Sequence, residues 1–149
     1  MILILSPTKT MGVDHTPDGL TPHTPLFQAE AQNLVRELKG LSSQQIQQLF
    51  KTSEALTQKT LAQFQGFDTA PCGPALFAFK GEAFKTLCPQ SFDSGQLEYA
   101  QICLRIFSGL YGILTPMDGI RPYRLDVSTP VKIEGKGLTA FWKARLVPY

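Results

Sequence analysis

Residues 107–127 read FSGLYGILTPMDGIRPYRLDV, and the fold turns on how the two glycines near the start are used. Gly109 and Gly112 lie three positions apart, with Arg121 and Arg124 a few residues on. Upstream, Asp93 and Gln96 form a helix-opening pair, and Leu97, Ala100, Leu104 and Phe107 repeat at helical spacing up to Ser108. The spacing predicts one helix running into the glycines, and ILTPMD after them predicts a short second turn of helix. Together they make a helix-hairpin-helix-like motif, in which glycines let backbone N–H groups face a phosphate and the next helix adds its positive end. Such a contact grips the backbone without reading bases. The usual motif sets its glycines closer together, so a plain corner between two elements stays open as the other reading, because glycine also ends helices for conformational reasons alone.

The flanking sequence alternates apolar runs with amphipathic stretches. Residues 2–5, Ile-Leu-Ile-Leu, form an unbroken apolar run before Ser6-Pro7 and predict a strand buried on both faces. A Pro/Gly-rich loop extends from there to Thr24, long enough for a compact domain to suggest function or mobility. Thr24 and Pro25 then open a helix carrying Phe27, Ala31, Leu34, Val35 and Leu38 as far as Gly40. Ser42 with Gln45 is a capping-box pattern for a second helix bearing Ile46, Leu49 and Phe50, and a third starts at about Ser53 and stops near Gly66. After the break at APCGPA, LFAF predicts a second strand ending at Lys80-Gly81. YRLDV and PVKIE read as strands, and Leu138 to Leu146 as a helix. The pattern predicts one mixed α/β (α+β) domain over residues 1–149.

Three short stretches besides the glycine motif can carry chemistry. SPTKT, residues 6–10, leaves the first strand with the hydroxyls of Ser6, Thr8 and Thr10 and the amine of Lys9, a set suited to holding an anion at a strand's carboxyl end. It lacks the glycine spacing of a Walker loop, and a capped turn with an exposed lysine is the other reading. In AFKGEAF, residues 78–84, Gly81 permits close backbone approach, and Lys80 with Glu82 is either an acid/base pair or a surface ion pair. Downstream, Tyr123 and Arg124 of PYRLD suit stacking on a nucleotide and a bidentate grip on phosphate, or Arg124 pairs structurally with Asp118 or Asp126.

Bulk properties narrow the classes. The chain has 149 residues and a net charge of only +2, yet residues 1–79 hold five Lys/Arg against six Asp/Glu while 80–149 hold nine against six. The basic excess lies in the half with the glycine motif, a weak pointer to a polyanionic partner. No run approaches the roughly 18 apolar residues of a membrane span, and MILILSPTK lacks the features of a secretory leader, so the expected location is the cytoplasm. Cys72, Cys88 and Cys103 are odd in number and never paired as CxxC, which predicts buried free thiols. His15 and His23 sit near Asp14 and Asp18 without the spacing of a metal motif, so no metal and no cofactor are expected.

Taken in order, SPTKT, AFKGEAF, LRIFSGLYGILTPMDGIRPYRLDV and LTAFW resemble the YaaA family of bacterial peroxide-stress proteins, from Met1 to about Trp142. The resemblance implies a mixed α/β fold of its own kind, with a helix-hairpin-helix-like element beside a positively charged cleft. It also implies DNA binding by structure or backbone rather than sequence, and a cellular role in limiting free iron and oxidative damage under hydrogen peroxide. On that basis the DNA-contacting residues expected are Lys9, Lys80, Ser108, Gly109, Tyr111, Gly112, Arg121 and Arg124, with Ser6, Thr8 and Thr10 as an anion-binding turn. The chain departs from the family pattern at Thr8, Glu82, Asp126 and at Thr115, where a basic residue that meets phosphate is usual. Family members continue well past the FW pair, so the resemblance implies that the C-terminal part of the fold is missing here, and predicts exposed edges and poor stability. Two other functions compete: an enzyme acting on a nucleotide or phosphorylated small molecule through Lys9, Lys80 and a carboxylate (Glu82 or Asp126), and direct iron handling, which has no recognisable ligand set.

Overall fold

The computed structural model describes residues 1–14 and 16–149. It begins with β1 (Leu3–Leu5), followed after the long loop by three helices, α1 (Gln28–Lys39), α2 (Ser43–Phe50) and α3 (Glu54–Gln65). The capping box of the second helix forms as the sequence predicts: Ser42 Oγ accepts from Gln45 N at 3.2 Å while Gln45 Oε1 accepts from Ser42 N at 2.8 Å. Ser53 caps α3 in the same manner, and such caps contribute about 1 kcal/mol each. Helix α1 starts at Gln28, three residues beyond Pro25, because Pro25 to Phe27 form a preceding turn closed by Gln28 N donating to Pro25 O. Its face of Ala31, Leu34, Val35 and Leu38 is fully buried. Thr57 and Thr60 of α3 are buried too, and their hydroxyls are satisfied by the carbonyls of Ser53 and Leu56, one turn back.

Next come β2 (Gly73–Pro74), α4 (Ala75–Ala78), α5 (Glu82–Leu87) and α6 (Ser94–Cys103). The LFAF run is therefore not the predicted strand but a single buried turn of helix. A four-residue apolar run has no period long enough to tell the two apart. What decides it is β5 (Gly119–Ile120), antiparallel to β2, beside which Asp118 and Pro116 carbonyls accept from Ala75 and Leu76 N.

The largest correction falls on residues 104–114. Helix α6 opens on the Asp93–Gln96 capping box but stops at Cys103, and LRIFS is a strand, β3 (Leu104–Ser108). Beyond the turn at 109–111 lies β4 (Gly112–Leu114), antiparallel to β3, with Ser108 opposite Gly112. The glycine motif is thus the bend of a β-hairpin, not a helix-hairpin-helix. Helical spacing continued through Leu104 and Phe107, but pairing on both sides of β3 overrides it: β1 runs parallel along one edge, Leu3 against Leu104 to Leu5 against Ile106, and β4 along the other. Consequently β1 is an edge strand. Ile4 is 67% exposed, against the expectation of burial on both faces. YRLDV forms no strand, and PVKIE contributes only β6 (Lys132–Ile133), hairpinned to β7 (Lys136–Gly137). Helix α7 (Leu138–Leu146) forms where expected and delivers Phe141 and Trp142 to the main core.

The cysteines are free, but Cys72 and Cys88 are exposed and Cys103 is half-buried, contrary to the expected burial. Asp118 is 5% exposed and accepts Thr115 N at 2.8 Å. Burial raises its carboxyl above the ordinary range, opposed by the Thr115 hydrogen bonds and by His23 and Arg105. Between the ordinary carboxylate value and this raised one the folded chain holds a proton that the unfolded chain has released, so stability falls as pH rises through that interval. Asp118→Asn keeps an acceptor for Thr115 N and is expected to flatten this slope, measured as urea-unfolding free energy from pH 3 to 8. A slope unchanged in the variant would assign it to another group.

Candidate phosphate cleft

Because β1 and β3 are parallel neighbours, the loop leaving β1 and the end of β3 lie at the same edge of the sheet, where open α/β sheets place their ligands. Ser108, the last residue of β3, anchors this edge from within. Its Oγ lies 2.6 Å from Tyr123 Oη and accepts from Leu110 N and Tyr111 N, which pins PYRLD against the hairpin bend. Gly109 permits the same approach: a Cβ there would overlap the Leu125 carbonyl oxygen and reach 3.0 Å from Asp126 C. Burial raises the Tyr123 hydroxyl strongly and pushes that of Tyr111 up to about 12, although Tyr111 Oη accepts from Arg121 N.

From the other side, Thr8 is clasped by the segment after α4. Lys80 N donates to Thr10 O at 3.0 Å and to Thr8 Oγ1 at 3.3 Å, and Gly81 lets its backbone approach Thr8 so closely that a Cβ there would overlap the threonine methyl. The motifs SPTKT, AFKGE and PYRLD, scattered over more than a hundred residues, therefore meet at one place. Between SPTKT and PYRLD lies a cavity of about 60 Å³ lined by Thr8, Lys9, Phe50, Tyr123, Arg124 and Asp126. It has room for several waters or one phosphate-sized group. A more open trough of about 340 Å³ continues from it past Lys51 and Ser128, sharing Lys9, Phe50, Asp126 and Thr129.

The cleft's charge is mixed. Among the described residues Lys9, Lys51 and Arg124 make no salt bridge, and they share the cleft with one carboxylate, Asp126. Asp126 accepts from Ser128 N at 2.8 Å and Ser128 Oγ at 2.6 Å, and these bonds, with help from Lys9, hold its carboxyl below the usual range. It stays ionised at neutral pH.

Of the residues expected to contact DNA, Lys9 and Arg124 line this cleft and Thr8 joins them, but its hydroxyl also donates to Thr10 O. Lys80 braces the wall through its backbone, while its side chain runs beside Gly12. Arg121 is engaged elsewhere, with Nε donating to Ala70 O at 3.0 Å and its guanidinium over the Phe67 ring. Ser108, Gly109, Tyr111 and Gly112 are buried behind the cleft, and Ser6 and Thr10 lie outside its lining. Glu82 pairs with Lys85 at 3.2 Å rather than with Lys80. Lys51, Phe50 and Thr129 belong to the cleft although nothing local marks them. Lys51 takes a left-handed φ of 51° at the end of α2, which only the folded chain reveals. His15 lies outside the described residues, and among those described no group of three or more His, Cys, Asp or Glu is placed to hold a metal. No helix among them is long and apolar enough to cross a membrane.

A mixed α/β fold with a small polar cleft of mixed charge at the carboxyl ends of two parallel strands defines the class. The family model for peroxide stress protein YaaA matches residues 1–149, and the chain belongs to that family. It is 37% identical over 151 residues to a UPF0246 protein of Clostridium perfringens, covering 99% of this chain and 59% of that protein. Against the UPF0246 protein of Desulforapulum autotrophicum it is 39% identical over 152 residues, covering 95% and 59%. The chain thus spans about three-fifths of the length of these relatives.

Proposed function

We propose that this chain serves the peroxide-stress response by holding DNA through its phosphates, with little regard to base sequence, at the cleft of Lys9, Lys51 and Arg124. The observation that carries the reading is the convergence of these three cations, none of them salt-bridged among the described residues, at the edge where Thr8 and PYRLD meet. Glycine-hairpin backbone contacts have no part in it, since Gly109 and Gly112 are buried by Leu125 and Trp142. Restraint of free iron and of oxidative damage is carried over from the family resemblance, with no ligand residue assigned to it.

The reading predicts affinity that falls steeply with salt. Lys9→Ala, Lys51→Ala and Arg124→Ala should each reduce the slope of log affinity against log salt by about one, with similar losses for unrelated sequences. Fluorescence anisotropy of labelled duplex and single-stranded DNA across a salt series measures it. Slopes identical in wild type and triple variant would overturn the assignment to this cleft.

A second reading, turnover of a phosphorylated small molecule or nucleotide, is favoured by one observation, the ionised Asp126 beside Lys9 in an enclosed cavity. It loses the Lys80–Glu82 pair and retains Lys9 and Asp126. Loss of turnover in Asp126→Asn with folding retained would bring it forward.

A further inference from the structure

We infer that the ring of Phe50 is a stacking platform for one unpaired DNA base, so that the cleft holds single-stranded stretches by a base as well as by phosphates. This rests on the DNA reading above and deepens it.

Three features carry the inference. The first is which aromatic ring is on offer. Among the described residues two aromatics line the cleft, Phe50 and Tyr123. Tyr123 is 4% exposed, its hydroxyl lies 2.6 Å from Ser108 Oγ, and its ring packs edge-on against Tyr111 at 5.8 Å, so it is committed to the wall. Phe50 is half-buried and lines both the inner cavity and the trough. Every base has a π-face, so a partly exposed ring takes any of them, which suits a site with little regard for sequence.

The second is how firmly the ring is held. Phe50 is the last residue of α2, before Lys51 turns the chain away at its left-handed φ of 51°. Its ring packs against that of the fully buried Phe64 of α3, with centroids 6.2 Å apart. A ring fixed in this way loses little freedom on taking a partner, and the contact is preorganised.

The third is which form of DNA reaches it. The trough beside Phe50 encloses about 340 Å³, near the lower end of the usual range for small-molecule sites of about 300–1,000 Å³. In a duplex both faces of each base are covered by its neighbours, and only an unpaired base turns out to lie on a side chain. Duplex phosphates still meet Lys9, Lys51 and Arg124, so duplex binding is left to charge alone. Asp126 offsets part of that charge in the same cleft, whereas stacking draws on ring area and is indifferent to the balance.

The test uses anisotropy of the full chain with three labelled oligomers of equal length: a thymidine strand, the same strand with every nucleotide abasic, and the thymidine strand paired with its adenosine complement. The thymidine strand is expected to bind about tenfold tighter than the abasic one, which has the same phosphates and no base to stack. Phe50→Leu should erase that difference while leaving duplex affinity and the salt slopes unchanged, and Phe50→Tyr should keep it. Equal, salt-dependent affinity for the thymidine and abasic strands would overturn this inference and leave the DNA reading standing, a comparison that the wild-type chain decides even where the leucine variant folds poorly. An equal loss for all three oligomers in a folded Phe50→Leu would likewise overturn it, since Phe50 would then act through the fold. Binding of none of the three by the wild-type chain would overturn both readings.

Discussion

Gly112→Ala is expected to destabilise the fold by about 2–5 kcal/mol, a large share of the 5–15 kcal/mol typical of a domain. Two costs combine at this residue. Its φ is +73°, a left-handed conformation that costs an L-residue about 1–2 kcal/mol. A Cβ would also stand 2.6 Å from Trp142 Cζ3, and overpacking of that kind adds about 1–3 kcal/mol. The indole cannot retreat freely, because Nε1 donates to Gly109 O at 2.8 Å and the ring is packed edge-on by Phe27 and Phe141 at 5.5 and 5.0 Å.

Gly135 separates the two costs. It has nearly the same φ, +72°, with nothing within 4 Å of where its Cβ would lie. Gly135→Ala should therefore lose only about 1–2 kcal/mol. Trimming the indole supplies the complementary check: Gly112→Ala combined with Trp142→Phe should be less costly than the sum of the two, by about 0.5–3 kcal/mol. Equilibrium urea unfolding of the five proteins measures all of this. Equal losses at Gly112 and Gly135 would show that Trp142 makes room after all. A practical corollary is that bulky substitutions at Gly109 or Gly112 are unsuitable controls for binding, since they act on the core before they act on the cleft.

The second large effect concerns association. Leu3 and Ile4 of edge strand β1 and the preceding Ile2 are exposed, and α6 buries only Ala100 among its ten residues while exposing Tyr99 and Ile102, the latter to 70%. Apolar grooves of about 440 and 520 Å³ run along α6, one past Leu3, Leu87 and Cys103 and the other past Leu20, Ile102 and Met117. An unpaired strand edge beside such a surface is a template for self-association. The chain alone is expected to show an average mass above that of the monomer, rising with concentration in sedimentation or light scattering. Ile4→Lys with Ile102→Glu removes two side chains whose burial contributes about 1.5–3 kcal/mol each, which weakens association by roughly two to four orders of magnitude. A wild-type chain that stays monomeric at every concentration would refute the expectation.

Sequence and structure agree where interactions are local. The Ser42–Gln45 and Asp93–Gln96 boxes and the buried face of α1 involve residues a turn apart, and each is found where the sequence predicts it. LRIFS departs from its helical spacing for the opposite reason: its partners are Leu3–Leu5 and Gly112–Leu114, and no window along the chain displays a parallel strand a hundred residues away. Gly109 and Gly112 stood out correctly as backbone devices, but what they accommodate is a crossing chain and an indole. For the cleft, SPTKT and PYRLD were visible because they concentrate hydroxyls and cations. Lys51 and Phe50 were not, since an ordinary helix end becomes part of a site only through the packing of α2 beside β1's loop.

The parallel pairing of β1 with β3 also bears on how the chain acquires its fold. Leu3 to Leu5 precede their partner strand, residues 104–106 among the described residues, by about a hundred positions, so β1 waits unpaired during synthesis while the six helices α1 to α6 form behind it. Closing that loop is the slow, high-contact-order event. The candidate cleft, built from the loop after β1 and the segment after β5, comes into being only at that late moment, so any binding there should appear in one step with the completion of folding.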